Sequence, residues 1–152
     1  MKSRSLIVAL VLAGLLAACS NVPYAKRASD RLAAYTAAAG APVKSFRFFS
    51  PLYSWEPLGD TRLVVYTRPR QAYLLDLEAC VNLQVANAIG LTSNLGQVQV
   101  RFDRVLTGIG RDRIPCVISQ IRPIDMAQLK AVQLAQRKIE EDPRPAGADV
   151  QQ

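Results

Sequence analysis

The chain contains no histidine. That absence removes a His-based catalytic triad and any His-ligated zinc site. Cysteine is scarce: the three residues are Cys19, Cys80 and Cys116. None of them stands in the C-x-x-C spacing of a redox pair. Ser50, Ser54 and Ser93 have no histidine to activate them, and there is no Ser-x-x-Lys motif. Nor is there an apolar run long enough for a membrane-spanning helix. Leu6 to Leu16 is unbroken but falls well short of the ~20 residues a bilayer core requires. Acidic residues are outnumbered 12 to 19 by Lys and Arg, for a formal charge of +7. Such a surplus favours anionic neighbours and solubility, but familiar nucleic-acid recognition motifs are missing and no nucleic-acid partner is expected. No internal repeat and no second domain is visible.

What is present starts at the N-terminus. Lys2 and Arg4 precede the Leu6–Leu16 run, and Ala17-Ala18 stand just before Cys19. A positive start, a short apolar core and small residues at its end make a secretory leader. Cysteine at the cut adds something an ordinary leader does not need. Its thiol can accept a diacylglyceryl group, and its amine can become an acylated N-terminus carrying chains such as palmitate. Leu16-Ala17-Ala18-Cys19 resembles the lipobox of bacterial lipoproteins. The expectation is a signal peptide over 1–18 and a lipid anchor on Cys19 that is the protein's contact with the membrane. Ser20, where Asp is the inner-membrane retention signal of that family, points to the periplasmic face of the outer membrane. Without residues 1–18 the charge of +7 loses Lys2 and Arg4 and becomes +5.

In such an oxidising compartment Cys80 and Cys116 form an even pair, read as one disulfide. Two thiols alone make a poor metal site, and no cofactor is expected. A staple of this loop length stabilises by roughly 3–4 kcal/mol in the chain-entropy picture.

The division expected along the chain is a lipidated tether and helical lead-in over 19–43, one β-rich domain with a C-terminal helix over 44–142, and a disordered tail over 143–152. Ala25 to Ala39 is Ala-rich and helical by propensity, with Gly40 and Pro42 to end it. Its apolar face is thin, which leaves two readings: a helix lying on the domain, or a spacer. β texture follows at Phe46-Arg47-Phe48-Phe49, Leu52–Trp55, Arg62–Thr67 and Ala72–Leu77, the last two joined through Arg68-Pro69-Arg70 as a hairpin. Residues 78–88 fit either a short helix or an irregular crossing. Ile89–Thr92 is a further strand. Gln97–Asp103 alternates, with Val98, Val100 and Phe102 inward and Gln99, Arg101 and Asp103 outward. Pro115–Ile121 reads as the last strand. Asp125 then resembles an N-cap with Gln128 completing a capping box. Met126, Leu129, Val132, Ala135 and Ile139 form the apolar stripe of the helix it starts, leaving Gln133, Gln136 and Lys138 outside. The fold class expected is α+β, mainly β: a small twisted antiparallel sheet or partial barrel with a C-terminal covering helix and an N-terminal helical segment.

A second resemblance spans roughly residues 30–125. Phe46-Arg47-Phe48-Phe49, Trp55-Glu56-Pro57-Leu58-Gly59-Asp60, Ala72-Tyr73-Leu74-Leu75, Cys80, Ile89-Gly90-Leu91-Thr92-Ser93, Phe102-Asp103, Cys116 and Ile121-Arg122-Pro123-Ile124-Asp125 occur in that order. Together they resemble an uncharacterised family of small Gram-negative lipoproteins known as a domain of unknown function. The resemblance implies export and a cysteine pair, and it carries no activity. Val81 departs from the pattern, in which Pro follows the first cysteine.

Three groups of side chains are candidates for function. Arg101, Arg104, Arg111 and Arg113 place four guanidinium groups in a short stretch, suited to an anionic lipid, a glycan or an envelope protein; pairing with Asp103 and Asp112 is the plainer alternative. Tyr53 and Trp55 are either an aromatic platform or core. Glu56, Asp60, Asp76 and Asp103 are the carboxylates from which a hydrolase of cell-wall or lipid substrates would have to draw an acid and a base. No catalytic or metal residue is assigned. The function expected is a non-enzymatic binding or accessory module of the cell envelope, with the carboxylate hydrolase as the alternative.

Overall fold

The computed structural model describes residues 24–78, 80–108, 110 and 113–141. The leader, Cys19, the tether before Tyr24 and the tail after Glu141 lie outside the described residues, as does Arg111.

Among the described residues eight strands and two α-helices follow one another as α1 (Tyr24–Ala38), β1 (Ser45–Arg47), β2 (Ser54–Pro57), β3 (Arg62–Arg68), β4 (Gln71–Glu78), β5 (Ile89–Leu91), β6 (Gln97–Gln99), β7 (Arg104–Thr107), β8 (Ile114–Ile124) and α2 (Met126–Glu141), with a 3-10 turn at Leu83–Val85 between β4 and β5. Six strands form one antiparallel sheet in the order β2-β3-β4-β8-β7-β5, and β1 pairs with β6 in a separate two-stranded ribbon. The result is a mainly-β α+β fold: a curled sheet, or half-barrel, with a helix at each end of the chain.

Strand alternation assigns the side chains to two cores. Leu63, Val65, Leu75, Leu77, Cys116, Ile118 and Ile121 face the ribbon, where Phe46, Phe48 and Val98 close over them. The ring of Phe46 stacks on Tyr73, 4.3 Å between centroids. On the other face Val64, Ala72, Leu74 and Ile124 meet Ala34, Tyr35 and Ala38 of α1 and Leu129 of α2. A sheet buried on both sides reads as an almost continuous apolar run, as Leu63-Val64-Val65 does.

The β3–β4 hairpin has the expected pairing, Leu63 opposite Leu75 and Val65 opposite Tyr73. β2 lies two residues later than Leu52–Trp55, because Trp55 and Glu56 are the residues that pair with Val65 and Val64. β8 extends past Ile121 to Ile124. Between Asp76 and Leu77 the register on β8 jumps from Gln120 to Ile118, so Ser119 is an extra residue. This bulge lets Ile118 and Ile121, three apart, face the same core, and it turns Ile124 toward the helices. Ser119 Oγ donates to the Asp76 carbonyl at 3.0 Å, filling the gap.

The alternation read over Gln97–Asp103 holds only as far as Val100. Arg101 adopts φ 66°, and the chain turns. Phe102 is 78% exposed and Asp103 only 7%, the reverse of the expected sides. The cause is hydrogen bonding: the Arg101 N–H donates to the Ile118 carbonyl at 2.7 Å, swinging Asp103 inward. β7, which follows at once, has no counterpart among the expected strands, since Arg104–Thr107 falls between Gln97–Asp103 and Pro115–Ile121.

α1 lies on the sheet and is no free spacer. The chain leaving it pairs with the far end of β8, where the Gly40 N–H donates to the Pro123 carbonyl at 2.8 Å and Val43 N–H to Ile121 at 2.9 Å. Residues 24–43 therefore pack in the same unit as residues 44–141. In α2, Asp125 Oδ1 accepts from the Ala127 and Gln128 amides at 2.8 and 3.0 Å, a true N-cap. The box is not closed, since Gln128 Nε2 donates to the Ala37 carbonyl of α1. The apolar stripe is buried only at Met126, Leu129 and Val132. Ala135 and Ile139 are exposed, and Gln133 and Gln136 turn toward α1. Beyond Val132 the helix has left the sheet, and its neighbour is the polar side of α1.

Candidate functional site

Each carboxylate singled out in the sequence is held by its own partners. Glu56 on β2 accepts from Arg31 Nη1 at 2.8 Å and from the Tyr35 hydroxyl at 2.6 Å, both on α1. The Tyr35 and Tyr66 oxygens are 2.7 Å apart. Tyr35 has one proton and gives it to the carboxylate, so Tyr66 donates to Tyr35. Burial, reinforced by the bond to Glu56, pushes the Tyr35 hydroxyl far above its ordinary pKa of 10.0. Burial also raises Tyr66. The hydrogen bond to Glu56 raises Arg31. All three groups stay in their neutral-pH forms. This cluster is a clamp between α1 and the sheet, bordering an open groove of about 460 Å³ whose lining, with Tyr53, Ser54 and Trp55, holds one carboxylate.

Asp76 on β4 accepts from Arg62 Nε at 3.0 Å and Arg122 Nη2 at 3.4 Å. Asp60 accepts from Gln84 Nε2 at 2.6 Å. Asp103 accepts from the Thr92 hydroxyl and the Gln99 N–H, both at 2.8 Å, while Thr92 Oγ1 in turn accepts from the Arg104 N–H at 2.9 Å. This buried knot ties β5, β6 and β7 together. Sequence reasoning placed Asp103 on a wet face; its burial has no signal in a residue pattern that alternates on both sides of it. Among the described residues no two of these acids share a hydrogen-bond partner. No group of three or more His, Cys, Asp or Glu is placed to hold a metal ion there.

Of the arginines proposed for an anion, Arg101 and Arg104 sit level with Ile118 and Val117 of β8. Arg113 precedes Ile114, which pairs with the far end of β7 at Thr107. Four residue steps, about 13 Å of extended chain, separate Arg113 from Val117. Arg101, Arg104 and Arg113 are exposed, and Asp103 pairs with none of them. Trp55 is partly buried against the ribbon-side core, whereas Tyr53 is exposed. Both line the groove beside the Glu56 clamp.

Cys80 and Cys116 are joined, with Cα atoms 4.9 Å apart and a sequence separation of 36. The bond fastens the chain leaving β4 to the start of β8, inside the ribbon-side core.

The profile described as "Family of unknown function (DUF6491)" matches residues 1–140. The chain belongs to this family. The match runs from residue 1 through the half-barrel to nearly the end of α2. No curated protein and no solved structure matches the chain. Among the described residues no helix is long and apolar enough to cross a membrane.

Proposed function

We propose that this family member is a lipoprotein: residues 1–18 are removed, Cys19 carries the lipid, and the half-barrel is held at the periplasmic face of the outer membrane as a non-enzymatic binding or accessory module. The observation that carries the reading is Leu16-Ala17-Ala18-Cys19 closing a short apolar run behind Lys2 and Arg4. A joined Cys80–Cys116 pair supports an oxidising compartment. The described fold starts at Tyr24, and Ser20 to Pro23 would serve as the tether. A binding role is favoured over hydrolysis because Glu56, Asp60, Asp76 and Asp103 are each committed to structural partners. Exposed Arg101, Arg104 and Arg113, with Arg111 beside them in sequence, are the surface proposed for an anionic lipid, a glycan or an envelope protein.

Mass spectrometry of the protein from its own envelope tests the anchor. The expected N-terminal peptide starts at Cys19 and carries a diacylglyceryl group and an amide-linked acyl chain. Cys19→Ala abolishes palmitate incorporation and leaves the leader uncut. An intact leader with a free Cys19 thiol in the wild-type protein overturns the reading. Turnover of peptidoglycan or phospholipid by the purified protein, lost in Glu56→Gln or Asp76→Asn, would restore the hydrolase. Neutralising Arg101, Arg104, Arg111 and Arg113 together is expected to weaken crosslinking to envelope partners or anionic lipid; unchanged crosslinking discards that surface.

A further inference from the structure

We propose that the end of the molecule where α1 begins and α2 finishes rests on the anionic phospholipid headgroups of the membrane that holds the anchor. This inference rests on the lipidated reading of Cys19 and adds an orientation and a docking face to it.

Two hydrogen bonds set the geometry. Gln128 Nε2 donates to the Ala37 carbonyl at 3.1 Å and Gln136 Nε2 to that of Asp30 at 3.0 Å. As the residue number rises along α2 it falls along α1, so the helices are antiparallel. The last turns of α2 therefore stand beside the first turns of α1. Between them lies an open groove of about 370 Å³, bordered by Lys26, Arg27, Asp30, Arg31, Gln136 and Arg137. Among the described residues that line it, four cations face one acid, Asp30, which pairs with Lys26 at 2.9 Å. Arg31 pairs with Glu56. Arg27 and Arg137 are exposed and make no ion pair or side-chain hydrogen bond among the described residues. Tyr24, 70% exposed, and Ile139, 76% exposed, flank the cations with the apolar and aromatic groups that settle at a headgroup boundary.

The helix macrodipole gives no reason for this charge. α1 has no acid in its first turn, where the macrodipole favours one, and carries Lys26 and Arg27 there instead. An opposing anionic surface does give a reason, provided it is close, since its attraction for Lys and Arg fades within a Debye length. The chain permits such closeness. Only Ser20 to Pro23 separate Cys19 from Tyr24, so even a fully extended tether keeps the start of α1 within about 18 Å of the anchor.

The acylated full-length product provides the test. Cys19 is a thioether there and Cys80 is bonded to Cys116, so a cysteine introduced by Ile139→Cys is the single free thiol for a fluorescent label. Leu95→Cys, at a ribbon-side turn that is 98% exposed, is the control position. Each protein is reconstituted into vesicles of phosphatidylcholine alone or mixed with phosphatidylglycerol, with brominated acyl chains as quenchers. The expected result is several-fold stronger quenching at position 139 than at 95 when phosphatidylglycerol is present. That difference should fall away at high salt and in Arg27→Glu/Arg137→Glu. Equal quenching at the two positions overturns the docking while leaving the anchor intact. So does stronger quenching at 139 in phosphatidylcholine alone than in the mixture with phosphatidylglycerol, which would mean that the anionic headgroups do not attract this end. The mass of the Cys19 peptide is read in the same samples, and an unacylated peptide overturns both readings.

Discussion

The two faces of the six-stranded sheet are covered by different means. On the ribbon side a compact apolar core is sealed by aromatic packing and a covalent bond. Leu63, Leu75, Ile118 and Ile121 have no solvent exposure, and Cys80–Cys116 lies among them. On the helix side the apolar contribution is smaller: α1 offers two alanines and Tyr35, and α2 one fully buried leucine. Polar contacts supply the rest, with Glu56, Tyr35 and Tyr66 at one point and Gln128 and Gln136 bridging the helices. Apolar burial is non-directional and tolerates a two-stranded ribbon with little regular pairing. Hydrogen bonds are directional, so the thin helix face is positioned by a few named atoms. The face that depends on them is the one that carries the basic end.

This contrast is open to attack at both faces. Leu75→Ala should have the largest effect, about 2–5 kcal/mol of unfolding free energy by urea titration, because it leaves a cavity in a core with no solvent access. An effect below that range would mean the ribbon core is loose. Replacing Cys80 and Cys116 together with alanine should cost roughly 3–4 kcal/mol. The same titration under reducing conditions should bring the wild-type protein to a comparable midpoint.

Tyr35→Phe removes one hydroxyl that serves Glu56 and Tyr66, and about 1–3 kcal/mol is expected from the groups it leaves unpaired. Hydrogen exchange should quicken in α1 and leave β3, β4 and β8 protected. Uniform loosening would erase the distinction between the faces. The same tyrosine sets a pH dependence. Its folded pKa lies above the ordinary 10.0, so the folded state holds the proton more tightly than the unfolded chain. The stability this confers is complete below about pH 10 and is lost as pH rises toward the folded value. Tyr66 acts in the same direction. Tyr35→Phe should therefore flatten the alkaline fall in melting temperature, and an unchanged slope would remove Tyr35 from the account. Asp125→Ala should have the smallest effect, about 1 kcal/mol from the loss of two capped amides at the start of α2.

Much of this was legible in local chemistry. The β3–β4 hairpin announces itself through β-branched residues around Arg68-Pro69-Arg70, α1 through alanine and Gly40, and the start of α2 through Asp125. The errors cluster where a residue's side is decided by a partner distant in sequence. A period-two pattern over Gln97–Asp103 cannot reveal that Arg101 will turn to meet Ile118 and send Asp103 to Thr92 and Gln99. Nor can the β8 sequence reveal that Ser119 is a bulge, because a bulge is defined by the mismatch with Asp76 and Leu77 across the ladder. Ile139 fits a helical stripe on spacing alone, but burial also requires a sheet beneath it, and the sheet ends before α2 does.

By itself the sequence determined the short-range properties: which segments favour helix or strand, where turns and caps fall, and the lack of imidazole chemistry. Those depend on a residue and its near neighbours, and one-dimensional order contains them. Tertiary structure alone decided which acids were taken by which donors, that α1 belongs to the domain, and that Arg27 and Arg137 stand at the same end of the molecule. Each of these is a distance between atoms far apart along the chain, and such distances exist only once the sheet has brought its two faces into register.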